Sequence, residues 1–310
     1  MKVEVVLTET DIAQEFVEAI QARDLPEKLF FWFPRSAQAW AELSNDPALY
    51  GGLDETWKEL ADRAASIAQP FAGRIPVISF GAGDGQRDRL LIAALKQSGR
   101  DCTYFPVDAS QPMIEMACST GDDEDTETTG IKADISSPVH LVYAADAAEG
   151  PRLFIMSGNT LGAFDALAEI RYLAQAMGAN DRLIIDGELY DDEKTMPRRD
   201  NPAARKFLNA LLGGVGIHES DGAIRFDHRR DERHAGLHLI TRHFRVESDL
   251  TAIIVGEEIS LQRGERIGLN FQYTYSPEAF RWLVSEHGGL KILDELRSAD
   301  GRFLTFVCSK

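Results

Sequence analysis

Three glycines at alternate positions, Gly81, Gly83 and Gly85, follow the β-rich run "IPVISF" (75–80) and precede an apolar helical pattern at Leu90, Leu91, Ala94 and Leu95. A glycine-rich turn between a strand and a helix lets a ligand approach the backbone and offers N–H groups at the helix N-terminus. The dinucleotide fingerprint is G-x-G-x-x-G, whereas the spacing here is G-x-G-x-G, so the turn alone is a weak signal. Asp108 strengthens it: this residue closes the next β-rich run, 27 residues after Gly81. There a carboxylate can accept both ribose hydroxyls of an adenosine cofactor. Asp134 closes a third run, where an adenine amino group would lie, although taken alone it reads as a helix N-cap or loop acid. Gly158-Asn159-Thr160 follows a fourth run, where the reactive end of such a cofactor would sit.

These residues need a frame that brings strand ends to one edge, and the middle of the chain supplies its pattern. Strand-like runs "IPVISF" (75–80), "CTYFPVD" (102–108), "GIKADI" (130–135), "RLFIMSG" (152–158) and "DRLIIDGEL" (181–189) alternate with helical runs, of which "FDALAEIRYLAQAM" (164–177) is the longest. Such alternation predicts right-handed crossovers and a parallel sheet buried on both faces. In an open α/β fold, polar residues at the strand ends mark the pocket. After residue 190 the pattern changes to successive β-rich stretches with short polar turns, which predicts an antiparallel meander. "SPEAFRWLVSEHG" then predicts a helix with Ser276 as N-cap, Pro277 at its first position and Gly288 at its end. A turn at Asp300-Gly301 leads to a last strand. The N-terminal 60 residues are expected to be helical, and their aromatics to be core, least firmly for Trp32 and Trp40.

The chain has 310 residues, enough for one large or two smaller domains, and a net charge of −17. Nucleic acid is therefore not the expected partner, since phosphate backbones need clustered Lys and Arg. No apolar run approaches a membrane span, and the charge-interspersed N-terminus does not read as a signal peptide; a cytoplasmic protein is expected. Cys102, Cys118 and Cys308 lack zinc spacing and read as reduced thiols. The acidic run 121–130 lacks calcium-loop spacing and reads as a solvated loop. His228, His234, His238 and His243 contain no HExxH and read as surface or structural residues; no metal is expected.

The ordered series "VISFGAGDGQRDRLLIAAL", "YFPVDAS", "IKADI", "LFIMSGNTLGAF" and "LIIDGELYDD" resembles the S-adenosylmethionine-dependent methyltransferases. It is most similar to the histidine-specific Nα-methyltransferases of ergothioneine biosynthesis, a family that also holds fungal secondary-metabolism enzymes acting on an indole amino acid. The aromatic N-terminal segment and "GERIGLNFQYTYSPEAF" extend the resemblance over nearly the whole chain. It implies an α/β class I Rossmann-like core (61–190 plus 277–310) with a smaller mixed α+β substrate domain (1–60 plus 191–276). It implies that Gly81, Ala82 and Gly83 flank the methionine part of the cofactor, with Arg87 in place of a family lysine. Asp108 with Ala109 would hold the ribose, Asp134 with Ile135 the adenine, and Gly158 with Asn159 the loop at the reactive end. Trp32 falls where the family has a cofactor-contacting tyrosine.

The substrate positions depart from the family. Asn270 and Gln272 stand where its late segment has Glu and Ser, and Ala163 stands where it has Asn; Tyr50 matches a substrate-side tyrosine. Glu188 reads either as a pocket acid or as an exposed one. Loss of buried hydrogen-bond partners changes specificity strongly, so the expected activity is N-methylation of a small amino acid or amine other than histidine. Asn270→Glu with Gln272→Ser would then shift preference toward histidine. Alternatives are a reaction using the cofactor's aminobutyrate arm and a non-catalytic cofactor-binding member. A nicotinamide dehydrogenase is disfavoured by the glycine spacing. The expected partner is a small-molecule substrate, and the expected state a monomer or weak homodimer.

Overall fold

The computed structural model describes residues 1–119 and 126–310; residues 121–125 of the acidic run 121–130 lie outside the described residues. The strands are β1 (Lys2–Val5), β2 (Asp24–Leu25), β3 (Ile75–Phe80), β4 (Cys102–Asp108), β5 (Glu127–Lys132), β6 (Leu153–Met156), β7 (Arg182–Glu188), β8 (Gly222–Arg230), β9 (Leu237–Val246), β10 (Leu250–Ile254), β11 (Glu257–Leu261), β12 (Arg266–Tyr275), β13 (Lys291–Arg297) and β14 (Phe303–Ser309). Eight of them form the main sheet in the order β1-β5-β4-β3-β6-β7-β14-β13. Strands β1 to β7 of this sheet pair in parallel, while β14 runs antiparallel to both β7 and β13.

Every residue of β3, β6 and β14 is buried, which is why these segments carry unbroken apolar runs. One face packs on Phe154, Ile170, Leu173 and Phe280, the other on Leu53, Trp57, Leu91 and Leu95. The sequence order reverses at β3: from it the chain winds outward through β4 and β5, then returns to its other side at β6. In such a sheet the crevice beyond the carboxyl ends of the two central strands is the ligand site. This is the Rossmann-like class I arrangement.

The expected meander makes a separate sheet, β2-β12-β9-β8, flanked by the β10–β11 hairpin. Its core joins Phe244, Ile267 and Leu269 to Phe16, Phe30 and Phe207. Two parts of the N-terminal 60 residues depart from the expected division. Strand β1 pairs with β5 in the main sheet, and the helix Pro47–Asp62 buries Leu53 and Trp57 against that sheet. The third strand also differs, ending at Lys132 rather than residue 135, so that Asp134 sits in the loop beyond it.

The C-terminal helix starts as its caps dictate: Ser276 Oγ accepts the Ala279 N–H at 3.1 Å, with Pro277 at the first position. It widens over Leu283–His287 into a π segment before Gly288. Among the described residues no helix is long and apolar enough to cross a membrane.

Candidate active site

After Phe80 the chain turns through Gly81, Gly83 and Gly85 at φ of 67°, 57° and 73°, values that residues with a Cβ rarely adopt. A Cβ on Gly81 would also stand 2.6 Å from Thr160 Cγ2. The turn is therefore fixed both by backbone hand and by the close approach of the loop after β6. The N–H groups of Gly81 and Ala82 donate to Val107 O at 2.8 and 3.2 Å, tying the turn to the tip of β4. There Asp108 accepts the Gly83 N–H at 3.3 Å and the Ser110 N–H at 3.0 Å. Burial lifts its carboxyl to about 6, against the pull of these backbone N–H groups.

Across the switch point, the loop after β6 is held from two sides. Asp186 in β7 accepts the N–H groups of Gly158 and Asn159 at 3.1 and 2.7 Å. The Asn159 side chain donates to Tyr273 O at 2.8 Å and accepts the Glu188 N–H at 3.2 Å. Asn159 therefore shapes the loop with its side chain, at φ 59°, and offers the cleft little beyond its backbone.

Gly81, Gly83, Asp108, Ala109, Asp134, Ile135, Gly158 and Asn159 line one open cleft of about 660 Å³. Ala82 and Arg87 lie in an adjoining recess that shares Gly81, Gly83 and Gly158. Arg87 donates to Asp54 at 2.9 Å and stands 5.4 Å from the centre of the Tyr50 ring. Asp134 accepts the Ser136 N–H at 2.9 Å and hydroxyl at 2.6 Å, and pairs with Lys28. It is thus both a loop-capping acid and a wall of the cleft. The donor set fits S-adenosylmethionine: a carboxylate for a ribose diol, a glycine turn for close approach, and Ala109, Met113, Ile135 and Phe164 as apolar walls for a purine.

Trp32 is the exception among these positions. Its ring packs on Phe16 and Phe33, with centroids 5.6 and 5.2 Å away, and its Nε1–H donates to Glu9 at 2.6 Å. The short 3₁₀ turn Glu27–Phe31 before it sends Trp32 into the second core, and it does not line the cleft. Phe31 and Trp40 line it instead.

A second chamber of about 640 Å³ adjoins the cleft, and Glu27, Trp40 and Gln272 line both. Tyr50 and Glu188 line this chamber. Glu188 is fully buried and ion-paired with Arg199 and, at 3.4 Å, with Arg302, so its reading as an exposed acid fails. Ala163 lines the cofactor cleft and a groove outside it. Asn270 lines that outer groove and neither chamber. The register of β12 against β9 slips between Gly268 and Phe271, and within the slip Asn270 takes φ 56°; bulges re-aim side chains in this way. Its amide donates to Glu27 and, at 3.2 Å, to Ala163 O. Asn270 therefore positions the acid that faces the chambers.

Sequence reasoning missed Glu27, Phe31, which was expected in the core, and the arginines of the second chamber; Trp40 it left only weakly assigned to the core. The adjacent pair Arg198-Arg199 in a strongly acidic chain was the available signal. The four histidines do not gather into one site: His228 and His238 stack with Tyr190, His234 stacks on Trp282, and His243 stands 3.3 Å from Asp227.

The model of the family described as "Histidine-specific methyltransferase, SAM-dependent" matches residues 9–310. Ergothioneine biosynthesis protein 1 of Neurospora crassa is 20% identical over 303 residues, covering 91% of this chain and 33% of its own length. The chain thus spans about a third of that curated relative. Among solved structures, a S-adenosylmethionine-dependent methyltransferase from Clostridium acetobutylicum aligns with a TM-score of 0.45 at 11% identity, covering 82% of this chain and 91% of its own. CalS10, an amino pentose methyltransferase from Micromonospora echinaspora solved with SAM bound, aligns at 0.40 and 12% identity over 85% of this chain and 95% of its own. With the family model spanning almost all of the sequence, the chain belongs to the S-adenosylmethionine-dependent, histidine-specific methyltransferase family.

Proposed function

We propose that the protein methylates the nitrogen of a small amino acid or amine-bearing metabolite other than histidine. The observation that carries this reading is the shared wall of Glu27, Trp40 and Gln272, which joins the cofactor cleft to a second chamber. S-adenosylmethionine supplies an electrophilic methyl group on a sulfonium, so the protein's task is chiefly to hold a nucleophile close and in line. Tyr50 and Trp40 bound the space open to that nucleophile, and Gln272 offers one donor group and one acceptor at its junction with the cleft. An amine must be neutral when it attacks. Glu27 is the carboxylate common to both chambers, oriented by Asn270 and by Arg242 at 3.4 Å, and it is placed to accept a proton from an entering ammonium. Gln272, which lines both chambers where the family pattern has Ser, supports the exclusion of histidine.

The test is incubation with S-adenosylmethionine and a panel of amino acids and small amines, followed by mass spectrometry. S-adenosylhomocysteine together with a methylated amine is the expected result. Efficient methylation of histidine would refute the substrate reading. Methylthioadenosine without a methylated product would assign the aminobutyrate reaction instead, and neither product would leave a binding protein.

A further inference from the structure

The second chamber gathers four guanidinium groups from three separate parts of the chain. Arg198 and Arg199 come from the short helix Thr195–Arg199, Arg242 from β9, and Arg302 from the turn before β14. Against them stand two lining carboxylates, Glu27 and Glu188. The lining carries four positive charges and two negative ones, with Asp191 near Arg198 and Asp300 near both Arg198 and Arg302 outside it, and the chamber's arginines are mostly buried. The side chains of Arg199, Arg242 and Arg302 are 17%, 12% and 8% exposed.

The internal partners do not use up the donors. Glu188 is shared between Arg199 and Arg302, and Glu27 takes Arg242 and Asn270. The Nε groups of Arg199, Arg242 and Arg302 are buried with no hydrogen-bond partner among the described residues. Arg198 lines the chamber and makes no ion pair or side-chain hydrogen bond among the described residues. Burial pulls Arg199 down to about 10, and burial with the nearby Arg302 charge pulls Arg198 down, yet both remain charged at neutral pH. A buried surplus of guanidinium charge is costly unless an anion completes it, and arginine's planar fork matches carboxylate and phosphate oxygens.

We propose that the substrate is an amino acid whose side chain also ends in an anion, its two acidic groups answering the surplus guanidiniums of this chamber while its amine lies at Glu27 and Gln272. In the free-amine form that reacts, such a molecule carries at least two negative charges, one at each of its acidic groups. This rests on the amine-methylation reading above and specifies it. Histidine, whose side chain is neutral or cationic, brings no second anion to these guanidiniums, which gives a reason for its exclusion independent of positions 270 and 272.

The experiment measures binding by calorimetry in the presence of S-adenosylhomocysteine, and methyl transfer separately. The probes are aspartate, glutamate and O-phosphoserine, against asparagine, glutamine and serine. At least one acid is expected to bind roughly tenfold or more tightly than its neutral counterpart, and the carboxylate and phosphate arms identify which anion the chamber takes. Arg198→Gln should weaken that acid by roughly tenfold while leaving S-adenosylhomocysteine affinity within twofold, and Arg198→Lys should recover part of the loss. Neutral probes binding as well as the acids, no probe binding at all, or an Arg198→Gln variant with unchanged acid affinity would each overturn the proposal. An acid that binds but is never methylated supports the anion site and counts against the methyl-transfer reading. Equal methylation of asparagine and aspartate does the reverse.

Discussion

Replacing Asp108 by Asn separates cofactor binding from folding, because the two respond with opposite sign. In the free protein burial holds the Asp108 carboxyl at about 6 rather than 3.8. An acid whose folded-state value is raised destabilises the fold once it ionises. At about 1.4 kcal/mol per pH unit, the cost above pH 6 is about 3 kcal/mol. Asn removes that cost. It also turns an amide N–H₂ toward the Gly83 N–H, which now donates to Asp108 at 3.3 Å, and an orphaned donor costs about 1–3 kcal/mol. The free variant at pH 8 should therefore be as stable as the wild type or up to about 2 kcal/mol more stable. Binding moves the other way. A charged acceptor for the ribose hydroxyls contributes about 1.5–3 kcal/mol, so S-adenosylmethionine affinity should fall by roughly 10- to 150-fold. Calorimetric titration with the cofactor, beside thermal unfolding of the free protein, reads both. An affinity within twofold of wild type, or a destabilised free variant, would refute the reasoning.

Three further outcomes follow from the same geometry. Hydroxyl donors favour ionised Asp108, so cofactor affinity should be flat above about pH 7 and decline toward tenfold per pH unit below about 6; affinity that does not change between about pH 5 and 8 would contradict this. Trp32→Phe should cost about 1 kcal/mol of stability through the lost bond to Glu9, with cofactor affinity within twofold, as denaturant melts and titration would show; a cofactor-affinity loss larger than that of Trp40→Phe would return Trp32 to the cleft. Asn270→Glu sets a second carboxylate beside Glu27, where Asn270 now donates a hydrogen bond, and should lower stability by about 1–3 kcal/mol without bringing in histidine activity; histidine turnover by that variant would show that position 270 still reads the substrate.

Much of the cofactor half of the site was legible because Gly81, Asp108 and Gly158 sit at or just beyond the ends of parallel strands, and buried parallel strands announce themselves as unbroken apolar runs. Gly81, Asp108 and Gly158 could be placed by counting along such runs. Strand β1 escaped notice because "KVEV" is four residues long, half charged, and gains its identity only by pairing with β5. Trp32 and Trp40 look alike in the sequence; a 3₁₀ turn decides which faces the cleft. Asn270 was assigned by alignment to a family position, whereas a slip in the β12 register turns it behind Glu27. The arginine chamber was illegible for a different reason: residues 198, 199, 242 and 302 meet only through the packing of one short helix against the middle of β9 and the turn before β14.

The most direct measurement is a crystal structure with S-adenosylhomocysteine bound. The ribose hydroxyls should lie on Asp108, the purine between Ile135 and Met113, and the sulfur should face the junction formed by Glu27, Trp40 and Gln272. A ribose bound elsewhere, or a sulfur turned away from that junction toward the Arg87 recess, would contradict the two-chamber account.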